Sequence, residues 1–171
     1  FETGGAARRA DIIHVLVPDE VHGEVYEKDI RPNLSAGKTL SFSHGFSITF
    51  GLIEPPKNVD VVLVSPKAPG KPLREKFVAG SGVPGVFAVR QDYSRKAEKT
   101  ALAVAAAIGL SKGGLSKCTF EQETHVNLFA EQAVLCGGLS ELVRAGFETL
   151  VRKGYPPALV YAEVVLQAKL L

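Results

Sequence analysis

The chain contains no tryptophan, no methionine and only two cysteines in 171 residues. The two cysteines, Cys118 and Cys136, form neither a metal-ligand spacing nor a CxxC pair, which excludes a disulfide framework and a zinc-finger module. The expectation that follows is a reducing setting: cytoplasm, or the organellar matrix in a eukaryote. The missing methionine extends to position 1, so the chain is expected to be a piece of a longer protein. Charge of one sign is also lacking. Lys and Arg number 20 and Asp and Glu 18, a net charge of +2, too balanced for a nucleic-acid surface. Only four tyrosines are present, which gives bases little to stack on. No apolar run reaches the ~18–20 residues of a membrane span, and the first residues lack a signal-peptide layout. Internal repeats and low-complexity segments are absent as well. The expected partners therefore include neither nucleic acid nor membrane.

What is present is ample apolar material. Hydrophobic residues make up 46% and mean hydropathy is +0.12, enough for a packed core. The run Ile12 to Val17 is stopped by Pro18 and Asp19, a pattern that fits a buried parallel strand. A helix is expected over Val21 to Ile30. Further strands are expected at Thr39 to Ser43, Val59 to Val64 and Gly85 to Val89. An alanine-rich helix is expected from Arg95 to Ala107, stopped by Gly109. Strands alternating with helices or long crossovers predict an α/β fold with a mainly parallel sheet. From Phe120 onwards the strand patterns stop. Three helical stretches follow, at about Glu123 to Leu135, Leu139 to Lys153 and Pro157 to Leu171, with Gly154 to Pro157 parting the last two. The expected organisation is residues 1–117 as one domain and 118–171 as the start of a helical one.

Open α/β sheets bind ligands outside the carboxyl ends of their strands. Three expected strands end in polar groups: Pro18-Asp19-Glu20, Ser43-His44-Gly45 and Ser65-Pro66-Lys67. Turns favour Pro, Gly, Asp and Ser for backbone reasons alone; three at corresponding positions point to a crevice. His44 can exchange a proton near neutral pH, and Lys67 can pair with phosphate or carboxylate. The glycine-rich "AGSGVPG" (Ala79 to Gly85) leads into a strand rather than a helix, so a structural loop is the better reading than a phosphate cradle.

The helical part carries two polar pairs at i and i+4, Asn127 with Glu131 and Glu163 with Gln167. Glu131 and Glu163 stand on otherwise apolar stretches. An unpaired buried carboxylate is costly, and a divalent cation held by facing helices would remove that cost. The plainer alternative is a solvated helix edge, or a salt bridge to Arg144, Arg152 or Lys169.

From about Ala10 to Leu171 the sequence resembles ketol-acid reductoisomerase. The resemblance rests on "LVPDEVHGEVYE", "PNLSAGKTLSFSHGFSITFG", "PPKNVDVVLVSPKAPG", "GSGVPGVFAVRQD", "LFAEQAVLCGGLSELVRAGFETLVRKGYPP" and "AKLL", in colinear order. It implies part of a Rossmann-like NAD(P)-binding domain followed by a knotted, dimerising, all-helical domain. It also implies a homodimer or higher oligomer. The implied reaction is a Mg²⁺-dependent alkyl migration in 2-acetolactate or 2-aceto-2-hydroxybutyrate, then reduction by NADPH or NADH to the 2,3-dihydroxy acid of branched-chain amino-acid biosynthesis. By resemblance, His44 and Lys67 are the catalytic residues and Pro18, Asp19, Ser43 and Gly45 face the cofactor. Glu131 and Glu163 match metal-ligand glutamates. Asn127 stands where the family has a metal-binding aspartate, and Gln167 where it has a second glutamate; His125 also replaces an acidic residue. Two lost charges predict weakened or absent Mg²⁺ binding. Two other functions are compatible with these amides: a divergent paralogue acting as a nucleotide-binding or scaffold protein, or a simple NAD(P)H-dependent reductase.

Overall fold

The computed structural model describes residues 2–169; the expected last helix therefore has its final two residues outside the described range. By internal contacts the chain divides into two compact units, the first ending at Thr124 and the second beginning at His125.

The first unit is a five-stranded sheet with helices. In chain order it runs α1 (Thr3–Arg9), β1 (Ile12–Val15), α2 (Asp19–Val25), β2 (Thr39–Phe42), α3 (Phe46–Thr49), β3 (Asp60–Pro66), α4 (Gly70–Val78), β4 (Gly85–Gln91), α5 (Ala97–Ala107), β5 (Leu115–Lys117) and the start of α6 (Phe120–Phe129). The strands lie in sequence order, β1 to β5. Helix α2 continues through a π-helical turn, Tyr26–Ile30, so the helix expected from Val21 begins two residues earlier, at Asp19. Strand β1 is shorter than expected: Leu16 and Val17 are exposed and lie beyond the pairing with β2.

Strands β1, β2 and β3 are parallel, but β4 is antiparallel to β3, and β5 is parallel to β4. The expectation of a mainly parallel sheet holds for three of four pairings. Between β3 and β4 the chain makes an excursion through α4, whose Leu73 packs against the core with Val62, Val64 and Phe87 although no residue of the helix is fully buried. The excursion closes where the Lys67 amide donates to the Pro84 carbonyl at 2.8 Å, and the chain re-enters the sheet in the opposite direction. The glycine-rich loop before β4 is structural. A side chain on Gly82 would collide with the backbone of Gly109 and Gly113.

Each sheet face carries its own core. Val61, Leu63, Leu40 and Phe42 pack with Tyr26, Ile30 and Phe120 on one side. Val62, Val64 and Phe87 pack on the other against Ala97, Ala101 and Ala105. The three alanines recur every fourth residue, so a small-residue stripe lets α5 approach the sheet closely. The helix starts at Ala97 rather than Arg95 because Arg95 has φ 61, outside the helical region. Buried Asp60 accepts hydrogen bonds from Ser94 N (2.9 Å) and Ser94 Oγ (2.6 Å), tying the start of β3 to this entrance.

The second unit is all helical. From Phe120 the helix continues through a π-helical stretch, Ala130–Gly138, into α7 (Leu139–Arg152). The interruption expected before Leu139 is therefore absent. Gly137 and Gly138 stay helical, and side chains there would strike the carbonyls of Gln132 and Ala133. After Gly154, α8 (Pro157–Val160) leads into Tyr161–Leu166 and Gln167–Lys169. Val160 is the one buried hydrophobic side chain among the described residues of this unit, while Val126, Phe129, Leu135, Leu139, Leu142 and Leu159 are more than half exposed. Among the described residues no helix is long and apolar enough to cross a membrane.

Candidate functional site

The carboxyl ends of β2 and β3 and the amino end of α2 meet the first turn of α6. Their meeting point is Glu123, whose side chain is 1% exposed. Its Oε2 accepts from His44 Nδ1 and from the Gly45 amide, both at 2.9 Å. Its Oε1 accepts from Lys67 Nζ at 2.7 Å and from Ser65 Oγ at 3.1 Å. Lys67 Nζ also donates to Ser65 Oγ at 3.0 Å. Asp19 completes the group: its Oδ2 lies 3.9 Å from His44 Nε2 and its Oδ1 3.5 Å from Nδ1 of buried His22. His22 in turn bonds Ser47 Oγ (2.8 Å) and the Val17 carbonyl (2.7 Å), which holds the turn carrying Pro18 and Asp19.

The electrostatics follow from this geometry. Burial alone would raise the Glu123 pKa, but hydrogen bonds from His44, Lys67 and the Gly45 amide outweigh it and bring the carboxyl down to about 2. Four donors converge on one carboxylate, which therefore stays charged. The hydrogen bond to Glu123 raises the His44 pKa against the opposing effect of burial, and the negative charges of Glu123 and Asp19 add to the rise. With Nδ1 committed to Glu123, the outward nitrogen is Nε2, and a proton there is the one an incoming group can take. His44 is 21% exposed, Asp19 34% and Lys67 36%, so an anionic base supports a partly open, proton-bearing rim. The arrangement can bind an oxyanion or carboxylate and can exchange a proton at His44 Nε2.

Asp19, His44 and Lys67 are thus brought together. Pro18 precedes the first residue of α2. Gly45 sits where α6 comes closest: a Cβ there would lie 2.8 Å from the Phe120 carbonyl oxygen and collide with Thr124 Oγ1. Ser43 Oγ faces His14 Nε2 at 3.0 Å and donates to the Val64 carbonyl at 3.3 Å. Sequence reasoning missed Glu123, whereas Ser65 belongs to a strand end already singled out. A signal for Glu123 existed: it precedes Asn127 by four residues and Glu131 by eight, on one helix face.

In the second unit, Gln167 Nε2 donates to Glu163 Oε2 at 2.7 Å. Arg144 pairs with Glu141 and Glu148. Glu131 lies in the π-helical stretch that follows Asn127. Among the described residues no three His, Cys, Asp or Glu side chains gather as a metal cluster. The oxygen donors of the two i, i+4 pairs suit a hard cation in kind, with one charge per pair.

Two family models match the chain: the acetohydroxy acid isomeroreductase NADPH-binding domain over residues 1–114, and the ketol-acid reductoisomerase C-terminal domain over residues 120–171. A ketol-acid reductoisomerase (NADP(+)) of Petrotoga mobilis is 54% identical over all of this chain and 52% of its own length. A ketol-acid reductoisomerase (NAD(+)) of an uncultured archaeon is 53% identical over 97% of this chain and 50% of its own. A solved NADH-preferring ketol-acid reductoisomerase from an uncultured archaeon superposes with a TM-score of 0.95 at 52% identity, over 99% of this chain and 51% of that one. The chain spans about half the length of the relatives it matches.

Proposed function

The chain belongs to the ketol-acid reductoisomerase family, and on that premise we propose that its full-length protein converts 2-acetolactate or 2-aceto-2-hydroxybutyrate to the 2,3-dihydroxy acid, using NADPH or NADH and Mg²⁺. In this reading residues 1–117 belong to the cofactor-binding domain and residues 118–171 begin the helical one. The supporting observation is the Glu123 carboxylate joined to both His44 and Lys67 at the strand ends.

Each residue has a task in this reading. Glu123 holds His44 by Nδ1 and keeps the ring's proton-bearing face, Nε2, outward. Lys67 places a positive charge where a substrate carboxylate or a developing alkoxide is stabilised. Asp19 and the turn at Pro18, with Ser43 and Gly45, form the cofactor-facing edge of the sheet. Glu131 and Glu163, assisted by the amide oxygens of Asn127 and Gln167, would hold Mg²⁺. The metal would supply Lewis-acid polarisation of the carbonyl, and the nicotinamide would supply the hydride. By the family resemblance these helices, whose described residues bury one hydrophobic side chain, pair with a second copy in this reading. Glu131 of one copy then approaches Glu163 of the other.

Asn127 and Gln167 favour a second reading, an NAD(P)H-dependent reductase of 2-keto acids without the migration step. One experiment separates the two. The full-length protein is assayed by NAD(P)H oxidation with 2-acetolactate and, separately, with the already migrated 2-keto acid. Turnover of both supports the isomeroreductase. Turnover of the 2-keto acid alone supports the reductase.

A further inference from the structure

His14 lies on β1, with its ring between two serines of β2. Its Nδ1 is 2.7 Å from Ser41 Oγ and its Nε2 is 3.0 Å from Ser43 Oγ. Ser43 Oγ donates its single proton to the Val64 carbonyl on β3. This assigns Ser43 as the acceptor towards His14 and the proton of the ring to Nε2. Nδ1 is then an acceptor and takes the Ser41 hydroxyl proton. A directed chain results: Ser41 to His14, His14 to Ser43, Ser43 to Val64. It crosses three parallel strands near the ends where Asp19, His44 and Lys67 emerge. Burial lowers the His14 pKa, which keeps the ring neutral and this direction intact.

The register shows which face the chain occupies. His14 pairs with Ser41, and Ser41 with Val62, on the side of the core built with Ala97, Ala101 and Ala105. Phe120, one turn before Glu123, packs with Val61 and Leu63 on the other side. The ends of β2 and β3 are therefore gripped from both faces, by Glu123 on one and by the His14 chain on the other.

We propose that His14 is a positioning residue of this site: fixed as the Nε2–H tautomer, its ring braces the ends of β1, β2 and β3 against Glu123 and so sets where His44 and Lys67 stand. Its effect on turnover rests on the reductoisomerase reading given above; its effect on His44 does not. Displacing a reacting group by a fraction of an ångström is enough to slow catalysis. His44 faces Glu123 from α6, Asp19 from α2 and Lys67 from β3 and the loop after it, so its titration reports the spacing of all three.

The test uses the full-length protein with His14→Leu, which deletes both hydrogen bonds, and His14→Gln, whose amide can restore a donor and an acceptor. NMR of ¹⁵N-labelled imidazoles in the unmodified protein is expected to show His14 protonated at Nε2 alone. The His44 titration midpoint is expected to fall in His14→Leu and to recover in His14→Gln. Turnover of 2-acetolactate per folded molecule is expected to drop about tenfold in His14→Leu and to recover with Gln. A His14 protonated at Nδ1, or a His44 midpoint unmoved by His14→Leu, overturns the proposal. If His14→Leu fails to fold, the tautomer and the His44 midpoint in His14→Gln decide it. An unmodified protein that does not turn over acetolactate refutes the reductoisomerase reading and leaves the NMR result to judge His14.

Discussion

Glu123 Oε2 lies 2.9 Å from His44 Nδ1, joining the first turn of α6 to the end of β2. Substituting Glu123→Gln keeps the size and removes the charge. The His44 midpoint, raised chiefly by the Glu123 hydrogen bond, is then expected to fall back towards the ordinary imidazole value. Stability is expected to drop by about 2–3 kcal/mol, less than for a fully buried pair because His44 and Lys67 keep contact with water. NMR titration and urea unfolding measure the two effects. An unmoved His44 midpoint would show that the hydrogen bond does not govern the ring.

The same pair sets a pH window for folding. Glu123 has a depressed pKa in the fold, so its contribution is present above the unfolded value of 4.5 and is lost as pH falls towards about 2. The size is about 3 kcal/mol by linkage. His44 has a raised pKa, so its contribution is present below 6.5 and is lost as pH rises through the folded value. Chemical denaturation at a series of pH values is expected to show a plateau between about 4.5 and 6.5. Stability still rising well above that range would contradict the assignment.

Gly45 tests the closeness of α6. Gly45→Ala drives a methyl group against the Phe120 carbonyl and Thr124 Oγ1. The expected loss is about 2 kcal/mol, as for overpacking elsewhere. Enlarging Gly51, which has open space around it but φ 69, is the control for backbone strain alone. Equal melting temperatures for Gly45→Ala and the unmodified protein would show that α6 can recede.

Much of this architecture is legible in the sequence, and the failures have physical causes. The buried strands announce themselves as apolar runs closed by Pro, Gly, Asp or Ser, and the ligands of the crevice stand at their ends. Asp19, His44 and Lys67 meet for that reason. The reversal of β4 is not legible, because nothing in "PKAPGKPLREKFVAG" fixes the direction in which the chain re-enters the sheet. Glycines 137 and 138 look like a stop, yet the helix runs through them, since close packing of turns can override propensity. Glu123 was hidden because local pattern reads it as one of several acids at a helix start. Its partners lie 56 to 79 residues away, and only tertiary structure reveals that one carboxylate serves them all.

Association should follow from the exposed face of the second unit. Phe129, Leu135, Leu139 and Leu142 are all more than half exposed, and apolar surface of that extent favours a partner. Light scattering of the full-length protein is expected to give a dimer or a higher oligomer. Replacing Leu139 and Leu142 together by Glu is expected to weaken it. A folded monomer at micromolar concentration would count against the paired metal site as well.

Asn127 and Gln167 give the last prediction. Mg²⁺ gives up a large hydration energy on binding, and anionic oxygens offset it far better than amide oxygens. With Asn127 and Gln167 in place the protein is expected to bind Mg²⁺ weakly, with low isomeroreductase turnover. The double change Asn127→Asp with Gln167→Glu is expected to tighten Mg²⁺ by about two orders of magnitude. The structure adds a second expectation. Gln167 Nε2 now donates to Glu163 Oε2. Gln167→Glu removes that donor and sets two like charges one helical turn apart, a loss of about 0.2–0.5 kcal/mol without metal. The doubly changed protein should therefore melt slightly lower than the unmodified protein in chelator and higher in Mg²⁺. Calorimetric titration with Mg²⁺ and paired melting curves read both effects without recourse to activity. If the unmodified protein already binds Mg²⁺ tightly and the double change adds nothing, the amides are adequate neutral ligands and the argument from charge fails.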